Sequence, residues 1–389
     1  MRNRVVVAIA AAGVGLASLA ACGTSDAKVG PLQHTVATAA PGQSGHAAEA
    51  ADLPLRPGES RVTVRMPAPF TPSAPTGVGT DDYRCFLLDP HITHDSFVTG
   101  FNIRPGSPQV VHHVILFRVP PDVVAEAKAK DAADPGEGWT CFGTSGLGND
   151  GSIDDAPWLG AWAPGGSEQV YGKGLGEAMP AGSMIVMQVH YNLRAGIEPD
   201  QSSAELRLTS DPNTKALETL LLPAPVELPC RPGHTANKLC DRAASVADVK
   251  ARFGDGPGSL ADLLHLLCGG APAGPTQSCT RTIQSPETIR GVAGHMHLLG
   301  KSIKIEVDPG TPQARTVLDI KVWDFDNQAS IPTPPIHLKN GDTVRVTCTH
   351  SQALRDHLPA LAGVPDKYVV WGDGTTDEMC LGILLVTRP

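Results

Sequence analysis

Two histidines stand one residue apart in GVAGHMHLLGK, at His295 and His297. On an extended strand, residues i and i+2 point to the same face, so both imidazoles can reach one metal ion. Three more histidines sit inside strand-forming runs: His112 and His113 in VVHHVILF, and His190 in VMQVHYNL. A histidine amid Val, Ile, Leu and Met costs desolvation unless its nitrogens have partners. Taken singly, each reads as a hydrogen-bonded core residue. Three in one half of the chain and two in the other make the better case for metal. His112 and His113 are adjacent, so a regular strand sends them to opposite faces. They can share an ion only if the strand bulges or twists there, or lies at a domain edge.

Met379, in GDGTTDEMCLGILLV, follows a turn rich in Gly, Asp and Thr. Core filler is the usual role of a methionine, but here its thioether can join His295 and His297. A His-His-Met set points to copper, because thioether sulfur favours Cu(I). The all-histidine set (His112, His113, His190) suits copper or zinc. Asp377 and Glu378, beside Met379, read either as partners of the metal histidines or as a solvated turn. Trp158, Trp162 and Trp323 read as core or cleft-wall residues.

The elements that must position these residues are strands. The 389 residues leave room for two domains plus extras, and 41 glycines and 35 prolines interrupt any long helical pattern. RVTVRMPAPF, FVTGFNIRP, QVVHHVILFRV, SMIVMQVHYNL and SAELRLTS read as strands separated by turn residues. After Asp211-Pro212 the pattern restarts with ETLLLP, and continues through TIRGVAGHMHLLGKSIKIEVD, TVLDIKVWDF, DTVRVTCTHS and EMCLGILLVT. The predicted fold is all-β, with two antiparallel, jelly-roll-like β-sandwich domains in tandem, over 61–212 and 213–389. An insertion at about 225–280 carries Cys230, Cys240, Cys268 and Cys279. Within it, SVADVKARF and LADLLHLLC have helical spacing, which predicts one or two short helices pinned by disulfides.

The net charge is −9. Nothing suggests a basic face for phosphates, so nucleic acid is not an expected partner, and no obligate protein partner is expected either. At the N-terminus a cationic MRNR precedes an apolar run that ends in Leu19-Ala20-Ala21-Cys22. This resembles a bacterial lipoprotein signal, over residues 1–22, in which Cys22 is lipidated and becomes the mature N-terminus. Residues 23–60 are rich in Ala, Gly, Pro and Ser and read as a disordered tether. No later stretch reaches the roughly 18 apolar residues of a membrane span. The folded part is therefore expected to be exported and to sit outside the cytoplasmic membrane, lipid-anchored to the outer face of the cell membrane. Eight cysteines remain after Cys22, an even number that suggests disulfides in an exported chain; the absence of any C-x-x-C pair argues against structural zinc.

The stretches DDYRCFLLD, VVHHVILF, VMQVHYNL, GHMHLLGK, GDTVRVTC and GDGTTDEMC occur in one order that resembles a known family. This is the copper type II, ascorbate-dependent monooxygenases, the group of peptidylglycine α-hydroxylating monooxygenase and dopamine β-hydroxylase. The likeness spans most of residues 60–389; the 223–280 insertion and the N-terminal tail lie outside it. It implies two coppers per chain. His112, His113 and His190 would form an electron-storing site. His295, His297 and Met379 would form the site where O2 binds and the substrate C–H bond breaks. The resemblance places the two coppers across an open, water-filled cleft between two β-sandwich domains, with Gln188 near that cleft. It implies bridges Cys85–Cys141 and Cys348–Cys380, the second holding Met379 in place. Cys279 matches a family cysteine whose partner lies beyond the end of this chain, so it is expected to pair within the insertion or stay free.

The chemistry fits this division. Hydroxylation needs two electrons and one O2, and ascorbate gives one electron at a time, so two coppers take one each. The peptide-processing branch holds its substrate with an arginine, an asparagine and a tyrosine where this chain has Ala293, Leu381 and Ile383. Loss of the charged anchor argues against a peptide-amidating role and for a small, neutral, more apolar substrate. Two other readings compete. A non-catalytic copper-binding envelope lipoprotein would be expected to carry Met- or His-rich clusters, and only seven methionines occur. A zinc hydrolase built on His112, His113 and His190 would need a general base beside the metal, and leaves His295, His297 and Met379 without a role.

Overall fold

The computed structural model describes residues 52–76, 79–148 and 155–389. The signal segment, Cys22 and most of the stretch read as a tether lie outside these residues. Residues 52–60, the last of that stretch, are not tether: 52–58 run against the first sheet, and Glu59 and Ser60 begin its first strand. Arg207 donates to the carbonyls of Leu53 and Pro54, and Asp52 accepts from Arg104 at 2.6 Å.

The fold is all-β. In the first half, one sheet runs in the order Glu59–Arg65, Ser203–Thr209, Ser96–Arg104, Leu175–Met179. It packs on a second sheet ordered Trp139–Thr140, Asp81–Leu88, Met184–Asn192, Val111–Val119, Trp158–Trp162. The core between them takes alternate residues from both: Val98, Phe101 and Leu206 from one, Phe86, Leu116 and Met187 from the other. The second half repeats the plan. Strands Lys215–Pro223, Leu381–Thr387, Glu287–His295 and Ile331–Leu338 form one layer, and Thr276–Thr282, Thr343–His350, Gly300–Val307 and Arg315–Ile320 the other. Their core holds Leu222, Val292 and Leu384 against Ile303, Val346 and Cys348. The seam between halves is itself a strand pair, Lys215–Leu217 running parallel to Leu175–Glu177. One sheet therefore continues through both halves, and the described residues belong to one compact unit.

A third core lies between the halves. It joins Tyr83, Cys85 and Val186, on the outer face of the first sandwich, to Trp371, Met379 and Leu381 of the second. The insertion supplies the rest. Its helices α2 (Arg242–Phe253) and α3 (Asp255–Leu267) bury Val249, Phe253 and Leu264 in this core. Asp241 caps α2 by accepting from the Ala244 amide at 2.9 Å. Cys230–Cys240 closes the chain just before α2, and Cys268–Cys279 just after α3. So Cys279 pairs within the insertion. Cys85–Cys141 and Cys348–Cys380 are also bridged. Four disulfides fit a chain that matures in an oxidising, extracytoplasmic compartment. Several elements escaped the sequence reading: α1 (Val124–Ala133), an Ala- and Lys-rich stretch of good helix formers, and strands such as Leu175–Met179, Thr276–Thr282 and the proline-bearing Ile331–Leu338. No helix among the described residues is long and apolar enough to cross a membrane.

Candidate metal centre

The first histidine set stands on two paired strands of the inner sheet. Val111 and Val114 both point into the first core. They are three residues apart, so regular alternation must fail between them. It fails at a β-bulge: His190 lies opposite His113, but Tyr191 lies opposite Val111, and His112 is the extra residue. Both histidines therefore leave the core on the same side, as sharing one ion requires. Their Nδ1 atoms and that of His190 form a triangle with edges of 2.9, 3.3 and 3.3 Å. A point equidistant from such corners is about 1.8 Å from each, close to the ~2.0 Å of a metal–imidazole bond. Among the described residues this is the one group of three His, Cys, Asp or Glu donors close enough to hold an ion.

The protons are placed for ligation. His190 Nε2 donates to Asp81 Oδ1 at 2.9 Å, which leaves its Nδ1 with a free lone pair. Asp81 Oδ1 also accepts from the Thr375 amide at 2.9 Å and hydroxyl at 2.5 Å. Burial alone would raise the Asp81 carboxyl; His190 and Thr375 outweigh it and hold it below the ordinary carboxylate range. Tyr83 stacks on His190 at 3.9 Å between centroids. Burial, then the neighbouring imidazoles, push His112 and His113 well below the ordinary histidine range. Burial also lowers His190 despite Asp81. These rings stay neutral near pH 7, so protons do not compete with a metal.

The second set follows the i, i+2 rule. Met296 is buried in the second core, and His295 and His297 emerge on the other side with centroids 5.2 Å apart. His295 Nδ1 donates to Gln328 Oε1 at 2.7 Å, and His297 Nδ1 to the Asp377 carbonyl at 3.2 Å. Each ring thus keeps its Nε2 lone pair. His297 Nε2 is buried with no hydrogen-bond partner, a costly state for a polar atom unless a ligand fills it. Burial, then His297, lower His295 to about 3.

The loop carrying Met379 is held from several directions. Glu378 accepts from the amides of His297 at 3.0 Å and Leu299 at 2.5 Å. His350 Nε2 lies 3.3 Å from the Glu378 carboxylate and 3.2 Å from the Met379 carbonyl. Arg252 of α2 makes two 2.8 Å bonds to the Asp377 carboxylate, and Lys367 makes another. The Cys348–Cys380 bridge adjoins Met379. Asp377 and Glu378 are therefore buried partners of the second set, not a solvated turn.

The two sets adjoin. His113 and His295 have centroids 6.0 Å apart, and His112 and His297 6.4 Å. This departs from the open, water-filled cleft that the resemblance implies. The third core closes the gap, and three bonds cross it: the Thr375 amide and hydroxyl donate to Asp81, and Tyr83 Oη donates to the Asp373 carbonyl at 2.6 Å.

A cavity of about 510 Å³ opens beside both sets, lined by His113, His295 and Met379. Its walls are mostly apolar. Ala293, Leu381 and Ile383 all face it, as do Trp158 and Trp162. Leu260 and Leu263 of α3 close one side. Gln188 lines it and donates to the Thr144 carbonyl at 2.8 Å. Sequence reasoning missed Asp81, Gln328, His350, Arg252 and Thr375. Asp81 lay inside the DDYRCFLLD stretch and His350 beside Cys348 in a strand-forming run; the others sit on loops or in the insertion, with no local signal.

No protein-family model and no curated protein sequence matches the chain. Among solved structures, the chain has a TM-score of 0.19 to an allantoicase at 11% identity, covering 85% of this chain and 90% of that one. It has the same TM-score to the VP2 subviral particle of infectious bursal disease virus, at 9% identity over 85% and 72%. The TM-score to procruciferin of Brassica napus is 0.15, at 11% identity over 84% and 85%. Likenesses this weak carry no argument about the site.

Proposed function

We propose that this chain is a copper-dependent monooxygenase that hydroxylates a C–H bond of a small, largely apolar molecule with O2 and a one-electron reductant of the ascorbate type. One observation carries the reading: one apolar cavity is lined by an imidazole from each of two unlike sets, His113 and His295, together with Met379. A hydrolase site on the first set would leave His295, His297 and Met379 without a role.

Copper bound by these sets would supply one-electron transfer and O2 activation. The residues supply the rest. Asp81 and Gln328 fix ring tautomers, so that lone pairs face the ions. The bulge at His112 brings adjacent residues to one ion. Glu378, His350 and the Cys348–Cys380 bridge hold the strand end from which Met379 reaches the cavity. The walls formed by Leu381, Ile383 and Trp158 exclude water and favour an apolar substrate. The balance is one substrate C–H, one O2, two electrons and two protons, giving an alcohol and one water. The signal ending at Cys22 supports a lipid anchor, with palmitate among the attached acyl chains, that keeps the folded part at the outer face of the membrane. Cys22→Ala would then move the protein to the soluble fraction.

The test uses the form starting after Cys22, loaded with copper. Two coppers per chain are expected, with ascorbate-driven O2 uptake that depends on an apolar substrate and is lost in Met379→Ala. Two coppers with no turnover on any substrate would favour a non-catalytic copper-binding protein. Preference for zinc, or copper binding unaffected by joint loss of His295, His297 and Met379, would overturn the reading.

A further inference from the structure

Asp373 is out of place in its surroundings. It is the only Asp, Glu, Lys or Arg among the described residues lining the 510 Å³ cavity. It is 4% exposed. Its backbone carbonyl accepts from Tyr83 Oη, but among the described residues no donor reaches its carboxyl. The cation whose pull it feels does not serve it: Arg252 directs its hydrogen bonds to Asp377 and Asp248. Burial, with repulsion from Asp377 and Asp81, pushes the Asp373 carboxyl up to about 7, against the pull of Arg252. Across from it is Gly143, which also lines the cavity. A Cβ there would sit 3.3 Å from Asp373 Oδ1, so the missing side chain leaves that oxygen open to the space. A buried carboxyl without a partner costs free energy, and its surroundings offer it none.

We infer that Asp373 is a substrate anchor, and that the ligand of this cavity is a largely apolar molecule carrying one hydrogen-bond-donating head group, an amine or a hydroxyl. The inference deepens the monooxygenase reading by naming a substrate class for the same cavity, but the anchor itself requires no metal. The apolar body of the ligand lies against Trp158, Leu381 and Ile383, and its head group donates to the carboxyl. The anchor comes from the loop that also carries Met379, six residues further on, so head group and thioether are placed by one segment. Loss of polar residues at positions 293, 381 and 383 is thereby matched by a different polar contact elsewhere in the cavity.

The experiment is done on metal-free protein, with three probes of similar size: phenylbutylamine, phenylbutanol and butylbenzene. Binding is read by emission of the cavity tryptophans Trp158, Trp162 and Trp371, and by calorimetry. In the wild type, amine and alcohol are expected to bind roughly tenfold or more tightly than the hydrocarbon. Asp373→Leu should erase that preference while leaving butylbenzene affinity within about twofold. Asp373→Asn, which keeps the shape and one acceptor, should keep most of the alcohol's affinity and lose the amine's advantage. Equal binding of all three probes by the wild type, or an unchanged preference in Asp373→Leu, would overturn the proposal. Copper content of the wild type is measured separately. Loss of copper with the probe preference intact would sink the monooxygenase reading and leave the anchor standing.

Discussion

Asp81 Oδ1 and His190 Nε2 lie 2.9 Å apart, and neither side chain is more than 2% exposed. The bond fixes the tautomer that turns the His190 Nδ1 lone pair toward His112 and His113. Under the proposed function, Asp81→Asn should therefore weaken copper binding at the first set by about 10–100-fold while leaving the second set unaffected. Competition against a chelator of known affinity, with the sites distinguished by a Met379→Ala background, measures this. Unchanged affinity at the first set in the variant would mean that packing alone orients the ring.

Arg252 and Asp377 form a buried pair across the insertion and the Met379 loop. Burial would raise the Asp377 carboxyl; Lys367 and Arg252 overcome it and hold the group far below the usual range. Arg252→Leu leaves Asp377 with Lys367 alone. A loss of about 3 kcal/mol is expected, at the low end for breaking a buried pair because one cation remains. Guanidinium denaturation of metal-free protein reads it out, and a loss within error of zero would show that Lys367 suffices.

Asp373 makes stability depend on pH with a definite sign. Its folded value, about 7, lies above its ordinary value of 3.8. The native state therefore holds a proton that the unfolded chain releases, and stability falls as pH rises from about 4 to about 7. Asp373→Asn lacks this term. In metal-free protein the variant should match the wild type near pH 4 and exceed it by a few kcal/mol at pH 8. Denaturation midpoints for both proteins across that range give the difference, and a gap that does not change with pH would contradict it.

The Cys348–Cys380 bridge ties the Met379 loop to the strand Thr343–His350. Replacing both cysteines with alanine should cost about 2–4 kcal/mol. It should also weaken copper at the second set more than at the first, because only Met379 neighbours the bridge. Denaturation and site-resolved copper titration together separate a general loss of stability from a loosened ligand. Equal weakening at both sets would leave only the general effect.

Much of this architecture was legible in the residues. Alternation in runs such as SMIVMQVHYNL marks strands because a sheet with one buried face must alternate. The i, i+2 spacing of His295 and His297 places both on one face by strand geometry alone. The adjacency of His112 and His113 required an irregular strand, and the bulge is there. The helices of the insertion were legible from their spacing. What escaped was long-range. Arg252 and Asp377 are 125 positions apart, and Asp81 and Thr375 are 294 apart. No local pattern links such residues.

The sequence by itself determined the donor atoms, the strands that carry them and the cysteines able to bridge, because chemistry and backbone periodicity are local properties. Only the tertiary structure decided that the two histidine sets adjoin, that the insertion clamps the Met379 loop, and that Asp373 faces an apolar cavity without a partner. Those outcomes depend on a third core shared by both halves and α2–α3. Such a core forms only when segments far apart in the chain bury their apolar faces against one another.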